Sequence, residues 1–283
     1  LMDRVFRLNC PLVDMSPIAV EPDFTRRYLQ SSNFDALVKR IHKAFDRVAW
    51  EKEFVLCEGT GHAGVGRDID LGIGLPIDEV ALNRALFEKE GVEVIGVILN
   101  KVLPEKLDYI TEFAEKGLRR KGLKLLGVVP HQPILSRPTL ELIRDELNAR
   151  VINKTPQIHN IVKRVVIGAM GAAQVTRHFL PGVLLIVPAD RDDIIKAAHD
   201  YLKSGGDLSG IVLSEDIPPS NTVLKLAGAL SCPVLVSELD SYSVASRVHD
   251  LIVKIRPGDT QKIKLVQELI AAHVKLDKIL EAI

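Results

Sequence analysis

The chain has 283 residues, 47% hydrophobic and 26% charged, with 37 Lys and Arg balanced by 37 Asp and Glu. A formal net charge of zero gives no electrostatic reason to bind nucleic acid or an acidic membrane surface, and no apolar run approaches the roughly 20 residues of a spanning helix. The three cysteines, Cys10, Cys57 and Cys232, are scattered without metal-ligand spacing, which fits a reducing cytoplasm.

The length suggests two domains. Residues 1–21 read as connector, with a turn at Ser16-Pro17. Asn33 or Asp35 is placed to cap a helix reaching about Trp50, with Phe34, Leu37, Val38, Ile41 and Phe45 on one face. Phe54-Val55-Leu56-Cys57 has no polar residue and reads as a buried parallel strand. Glu58 follows it, then Gly59, Gly61, Gly64 and Gly66. Two readings stay open. Either the glycines supply positive φ for a tight turn, or Glu58 holds magnesium while glycine backbone approaches phosphate.

Asp78 to Glu90 reads as a helix closed by Gly91, and Val92 to Leu99 as a strand ending at Asn100. A basic amphipathic helix covers Asp108 to Lys121, and a strand from Leu123 to Val129 is closed by Pro130. This βαβα alternation predicts a parallel sheet. Glu58, Asn100 and Pro130-His131 then stand at three strand ends facing one crevice, where open α/β sheets bind ligands. The Asn100 amide both donates and accepts, which suits a purine edge, although a turn residue before Lys101 needs no ligand. His62 and His131 are candidates for phosphate contact or ordinary loop histidines, and Asp68 and Asp70 are outer metal groups or surface charges.

Beyond Arg137 the alternation resumes. A helix opened by Ser136-Arg137-Pro138-Thr139 runs through Asn148. A strand at Val165–Ile167 leads into the small-residue turn Gly168-Ala169-Met170-Gly171 and a helix from Ala172 to Phe179. Val183–Val187 is the most apolar run and ends at Pro188-Ala189-Asp190-Arg191. Then come a helix Asp192–Lys203, a strand Gly210–Leu213, a helix Asn221–Ala229, a strand Val234–Val236, a helix from about Ser241 to Val248, and a last helix Thr260–Ile283. Asp190 is placed to cap the helix at Asp192. Arg191 is a candidate for an anion, with Gly168 and its turn as the opposite wall. The last helix is apolar enough either for a dimer seam or for packing on its own domain.

Several motifs together resemble a known arrangement. Ser16-Pro17-Ile18-Ala19, Glu58-Gly59-Thr60-Gly61-His62 with Gly64-Val65-Gly66, Gly96 through Val102, and Gly127-Val128-Val129-Pro130 with Pro133 and Leu135 resemble the dethiobiotin synthetase-like P-loop domain of long phosphotransacetylases. Val166 through Met170, and Pro181-Gly182 through Asp190-Arg191, resemble the DRTGG domain that follows it in those proteins. The resemblance implies an α/β chain: a P-loop-type parallel-sheet domain over residues 1–137 and a smaller α/β DRTGG domain with a C-terminal helix over 138–283. It implies ATP and magnesium as cofactors, with Glu58 near the magnesium, Gly59 and Gly61 in the loop beside it, Asn100 on the adenine and Pro130 near the base.

Three departures accompany it. No G-x-x-x-x-G-K-[ST] occurs in these residues, and the loop is expected upstream of Leu1. A helix and an apolar strand of the family pattern are missing between Leu71 and Gly72. In the DRTGG motif only Asp190 and Arg191 survive, with Ala189 before them and Asp192-Asp193-Ile194 after. The functional expectation is a cytoplasmic, homo-oligomeric regulatory protein that binds nucleotide in its first domain and a small-molecule effector in its second. The alternatives are an ATP-dependent synthetase that activates a carboxylate as a mixed anhydride, and a nucleotide-free interaction module.

Overall fold

A computed structural model describes residues 1–18, 34–57, 74–154, 157–214 and 219–282. Two short helices, α1 (Met2–Phe6) and α2 (Leu12–Met15), precede a long amphipathic one, α3 (Phe34–Ala49). Arg47 near the end of α3 donates to Asp14 of α2 through Nε at 2.9 Å, tying the two together. Phe54 to Cys57 forms no strand, contrary to expectation: Phe54 is 57% and Leu56 74% exposed. An apolar run becomes a strand only where a neighbour offers a hydrogen-bonding edge, and no described strand lies alongside this one.

Helix α4 (Gly74–Lys89), strand β1 (Val97–Val102), helix α5 (Leu107–Arg120) and strand β2 (Leu125–Pro130) form a βαβ unit preceded by a helix. β1 and β2 pair in parallel, as the alternation requires. Ile110, Ala114 and Leu118, at helical spacing on α5, bury against Val102, Leu125 and Val128. The register steps from Leu99↔Val128 to Val102↔Pro130, so Asn100 and Lys101 together face a single residue of β2. Lys101 takes φ 61 in this bulge.

The second unit holds α6 (Leu140–Glu146), β3 (Arg150–Val151), β4 (Arg164–Ile167), α7 (Ala172–Val175), β5 (Val183–Pro188), α8 (Asp192–Lys203), β6 (Gly210–Ser214), α9 (Asn221–Gly228), β7 (Val234–Val236) and α10 (Ser241–His249). Its sheet runs β3-β7-β6-β5-β4, with β4 to β7 parallel and β3 antiparallel at the edge. The central strands are buried on both faces, which explains their unbroken apolar sequence. Leu185, Val187, Ile211 and Leu213 face α7, α8 and α9, while Leu184, Ile186 and Val212 face α6 and α10. Each such side chain contributes about 1.5–3 kcal/mol by leaving water. The α/β fold class expected from the sequence is the one observed.

The C-terminal region is not one continuous helix. It divides into α11 (Thr260–His273) and α12 (Leu276–Leu280), with Val274 extended between them at φ −119, ψ 131. Val274 makes an antiparallel bridge to Gly127, and the Lys275 amide donates to the Leu126 carbonyl at 2.8 Å. Pairing with β2 replaces the helical bonds lost at the break. Leu269 and Val274 bury against Val129, so these helices lie on the first unit's sheet.

Candidate functional site

At the carboxyl end of the two-stranded sheet, the bulge sets Asn100 on the surface beside the end of β2. Its Oδ1 accepts from the Lys101 amide at 2.8 Å, which supports the bulge. Pro130 is buried at the end of β2, paired across from Val102, and the His131 amide donates to the Val102 carbonyl at 2.7 Å. The strand expected over Val92–Leu99 forms instead over Val97–Val102, so Asn100 lies in the bulge two residues before the end of β1, while Pro130 ends β2. Glu58, Gly59, Gly61, His62, Asp68 and Asp70 lie outside the described residues.

In the second unit, Gly168, Ala189, Ser214 and Ser237 follow or end the four parallel strands along one edge. A Cβ on Gly168 would lie 3.1 Å from both Ile194 Cδ1 and Val187 Cγ2, so its bare backbone lets the turn after β4 sit on α8. Arg191 closes over that turn. Its Nη2 donates to the Met170 carbonyl at 3.1 Å and its Nη1 to the Gly168 carbonyl at 3.4 Å. The same guanidinium grips Asp193 with two bonds, at 2.8 and 2.9 Å. The hydrogen bond from Arg191 holds the Asp193 carboxyl below its usual range, and Asp193 in turn raises the Arg191 value. Arg191 is therefore a clip with its charge already matched. Asp190 adds to the negative field around it. It is not the cap expected of it: Arg191 holds the N-cap position of α8, and no side chain caps it. The acids of the first turn, Asp192 and Asp193, complement that helix end instead.

Three neighbours of this edge escaped the sequence reading. Ser220 caps α9 by accepting from the Val223 amide at 3.1 Å, and donates to Asp192 at 3.1 Å, coupling α9 to α8. Asp240 caps α10, its Oδ1 accepting from the Tyr242 and Ser243 amides, both at 2.9 Å. Ser214, fully buried at the end of β6, shares a 2.6 Å bond with Ser241 of α10. Ser or Asp immediately before a helical run was the available signal for the two caps. The chain leaves β6 toward one face of the sheet and β7 toward the other, the arrangement at which open α/β sheets bind ligands. Among the described residues, no three His, Cys, Asp or Glu side chains are grouped as a metal site, and no helix is long and apolar enough to cross a membrane.

Residues 142–251 match the DRTGG domain family, bearing out the resemblance of the second half. Most of the chain is similar to phosphate acetyltransferases. It is 30% identical to that of Pseudomonas aeruginosa over 89% of this chain and 41% of the relative. It is 28% identical to that of Pseudomonas putida over 91% and 41%, and 24% identical to that of Escherichia coli over 72% and 28%. The chain therefore spans about two fifths of the length of the first of these curated relatives. Among solved structures it is similar to the CBS and DRTGG domains of the regulatory region of Clostridium perfringens pyrophosphatase, complexed with the activator diadenosine tetraphosphate. That match has 16% identity, 63% coverage of this chain, 89% coverage of the other and a TM-score of 0.34.

Proposed function

We propose that this chain is a ligand-sensing regulatory region of the phosphate acetyltransferase type, acting in the cytoplasm as a homo-oligomer. The observation that carries the reading is the extent of the similarity: it runs through both units in order, yet occupies only about two fifths of those enzymes. The first unit binds ATP with magnesium. Asn100 reads the adenine edge, Pro130 lies beside the base, Glu58 holds the magnesium, and Gly59 and Gly61 bring backbone to the phosphates. The second unit takes a small-molecule effector at the edge formed by Gly168, Asp190 and Arg191. Because Asp193 already neutralises Arg191, that effector meets backbone carbonyls and hydroxyls more than free positive charge.

Calorimetric titration of ATP with magnesium into the protein, beside Glu58→Ala and Asn100→Ala, tests this. Saturable binding weakened about tenfold by either substitution, the size of one lost charge-assisted or paired amide bond, is expected. Absence of binding, or affinity indifferent to both changes, refutes the assignment of ATP to the first unit.

A further inference from the structure

The C-terminal segment touches both units and the junction between them. On the second unit, Arg256 donates to Asp145 of α6. On the first, Val274 and Lys275 pair with β2, and Lys275 Nζ also donates to the Leu125 carbonyl at 3.3 Å. Between these anchors, Lys262 of α11 donates through Nζ to the carbonyl of Arg137 at 2.5 Å. Arg137 caps the 3-10 turn Pro133–Ser136 that follows β2, and two residues later Thr139 caps α6. The bond thus falls on the linker where one unit gives way to the next.

Lys262 is an unusual residue to find there. It is 1% exposed, among the largest fully buried side chains of the protein. Burial lowers its proton affinity, opposed by the charge of Asp259 one turn earlier. Asp259 is itself buried, its Oδ2 accepting from the Arg256 amide at 2.9 Å while Oδ1 has no partner. A buried ammonium is expensive unless its bonds are good, and an apolar side chain would pack α11 at lower cost. The best-attested use of a buried polar group is to fix one arrangement over its competitors.

We propose that Lys262 is a positioning residue that locks the linker, so that the C-terminal strap holds residues 131–138 in one conformation and makes the two units move as one body. The linker begins at the end of β2, so the lock also fixes the loop following Pro130. On the nucleotide reading given above, on which this last step rests, it passes occupancy of the first unit to the second.

Native-state hydrogen exchange on the protein without ligand, comparing Lys262→Met with the unsubstituted chain, tests the lock. The expected result is exchange at least about tenfold faster for the amides of the 131–137 segment other than Pro133, with protection in β5 unchanged. Unchanged exchange in the linker overturns the proposal. Equal acceleration in the linker and β5 also overturns it, since Lys262 would then serve overall stability alone. If Lys262→Met does not fold, Lys262→Gln is read by the same criteria. Repeating the experiment with ATP and magnesium separates the two readings: no effect of nucleotide on any amide sinks the nucleotide assignment and leaves the lock decided by the ligand-free data.

Discussion

Gly127 and Val274 meet backbone to backbone, with no room for a side chain between them. A Cβ on Gly127 would lie 2.5 Å from the His273 carbonyl oxygen and 3.1 Å from Val274 Cα. The atoms in the way are main chain and cannot swing aside. Gly127→Ala should therefore push the C-terminal strap off β2 and cost about 1–3 kcal/mol in denaturant unfolding, the range for overpacking a closed site. Gly228→Ala is the matched control. Nothing lies within 4 Å of its added carbon at the end of α9, and the substitution should stabilise by up to about 1 kcal/mol. A neutral Gly127→Ala would mean that the strap does not dock this closely.

Asn153 fastens the edge strand β3 to the rest of its sheet. Its Nδ2 donates to the carbonyls of Cys232 at 2.9 Å and Leu230 at 3.3 Å, and its Oδ1 accepts from the Val234 amide at 2.9 Å. Asn153→Ala strips the partner from three backbone groups beside a buried turn. A loss of about 1–3 kcal/mol is expected, with faster exchange of the Val234 amide. An unchanged Val234 amide would show that water replaces the side chain without penalty.

The central strands were legible because burial on both faces forces an apolar run. Val183–Pro188 and Val234–Val236 stand where the residues place them, and so does α8 between its acidic start and Lys203. Two of the misreadings share a cause: they depended on what lies alongside. Phe54–Cys57 has strand composition but no described neighbour to pair with. Thr260 onward keeps helical periodicity through Val274, yet β2 offers an edge and the helix breaks to take it. At the candidate sites, Asn100 and Arg191 were visible as residue types near strand ends, but the bulge that holds Asn100 was not. The pairing of Arg191 with Asp193 was not, because two residues at i and i+2 face each other only in the non-helical geometry at a helix start.

The Arg191–Asp193 pair makes a prediction about acid. Arg191 depresses the folded-state carboxyl of Asp193 below its ordinary value. A carboxyl depressed on folding contributes stability above the unfolded pKa, near 4, and loses it as pH falls through the lower folded value. The Asp193 side chain is 51% exposed, so the contribution is at most about 1 kcal/mol. Asp193→Asn should therefore lower stability at pH 7 by up to about 1 kcal/mol, and its profile should converge on that of the unsubstituted chain as pH falls below about 4. Arg191→Ala should cost more at pH 7, since it also releases the Gly168 and Met170 carbonyls. Parallel acid profiles for Asp193→Asn and the unsubstituted chain would show that the pair is not formed in solution.

The cysteines report on the second unit's core without any substitution. Burial pushes the Cys232 thiol up to about 12, with Asp207 adding to the shift. At pH 8 its thiolate is then about a thousandfold scarcer than that of an ordinary cysteine, and the thiolate is the species that attacks a disulfide reagent. Cys57 is exposed. A chromogenic disulfide reagent at pH 8 should modify Cys57 promptly and reach Cys232 only at the rate at which the β6–β7 region opens, with mass spectrometry assigning each event. Denaturant should bring Cys232 into the fast phase. Prompt modification of Cys232 in the native protein would contradict the packing of its side chain against Ile211 and Val234 in one closed core.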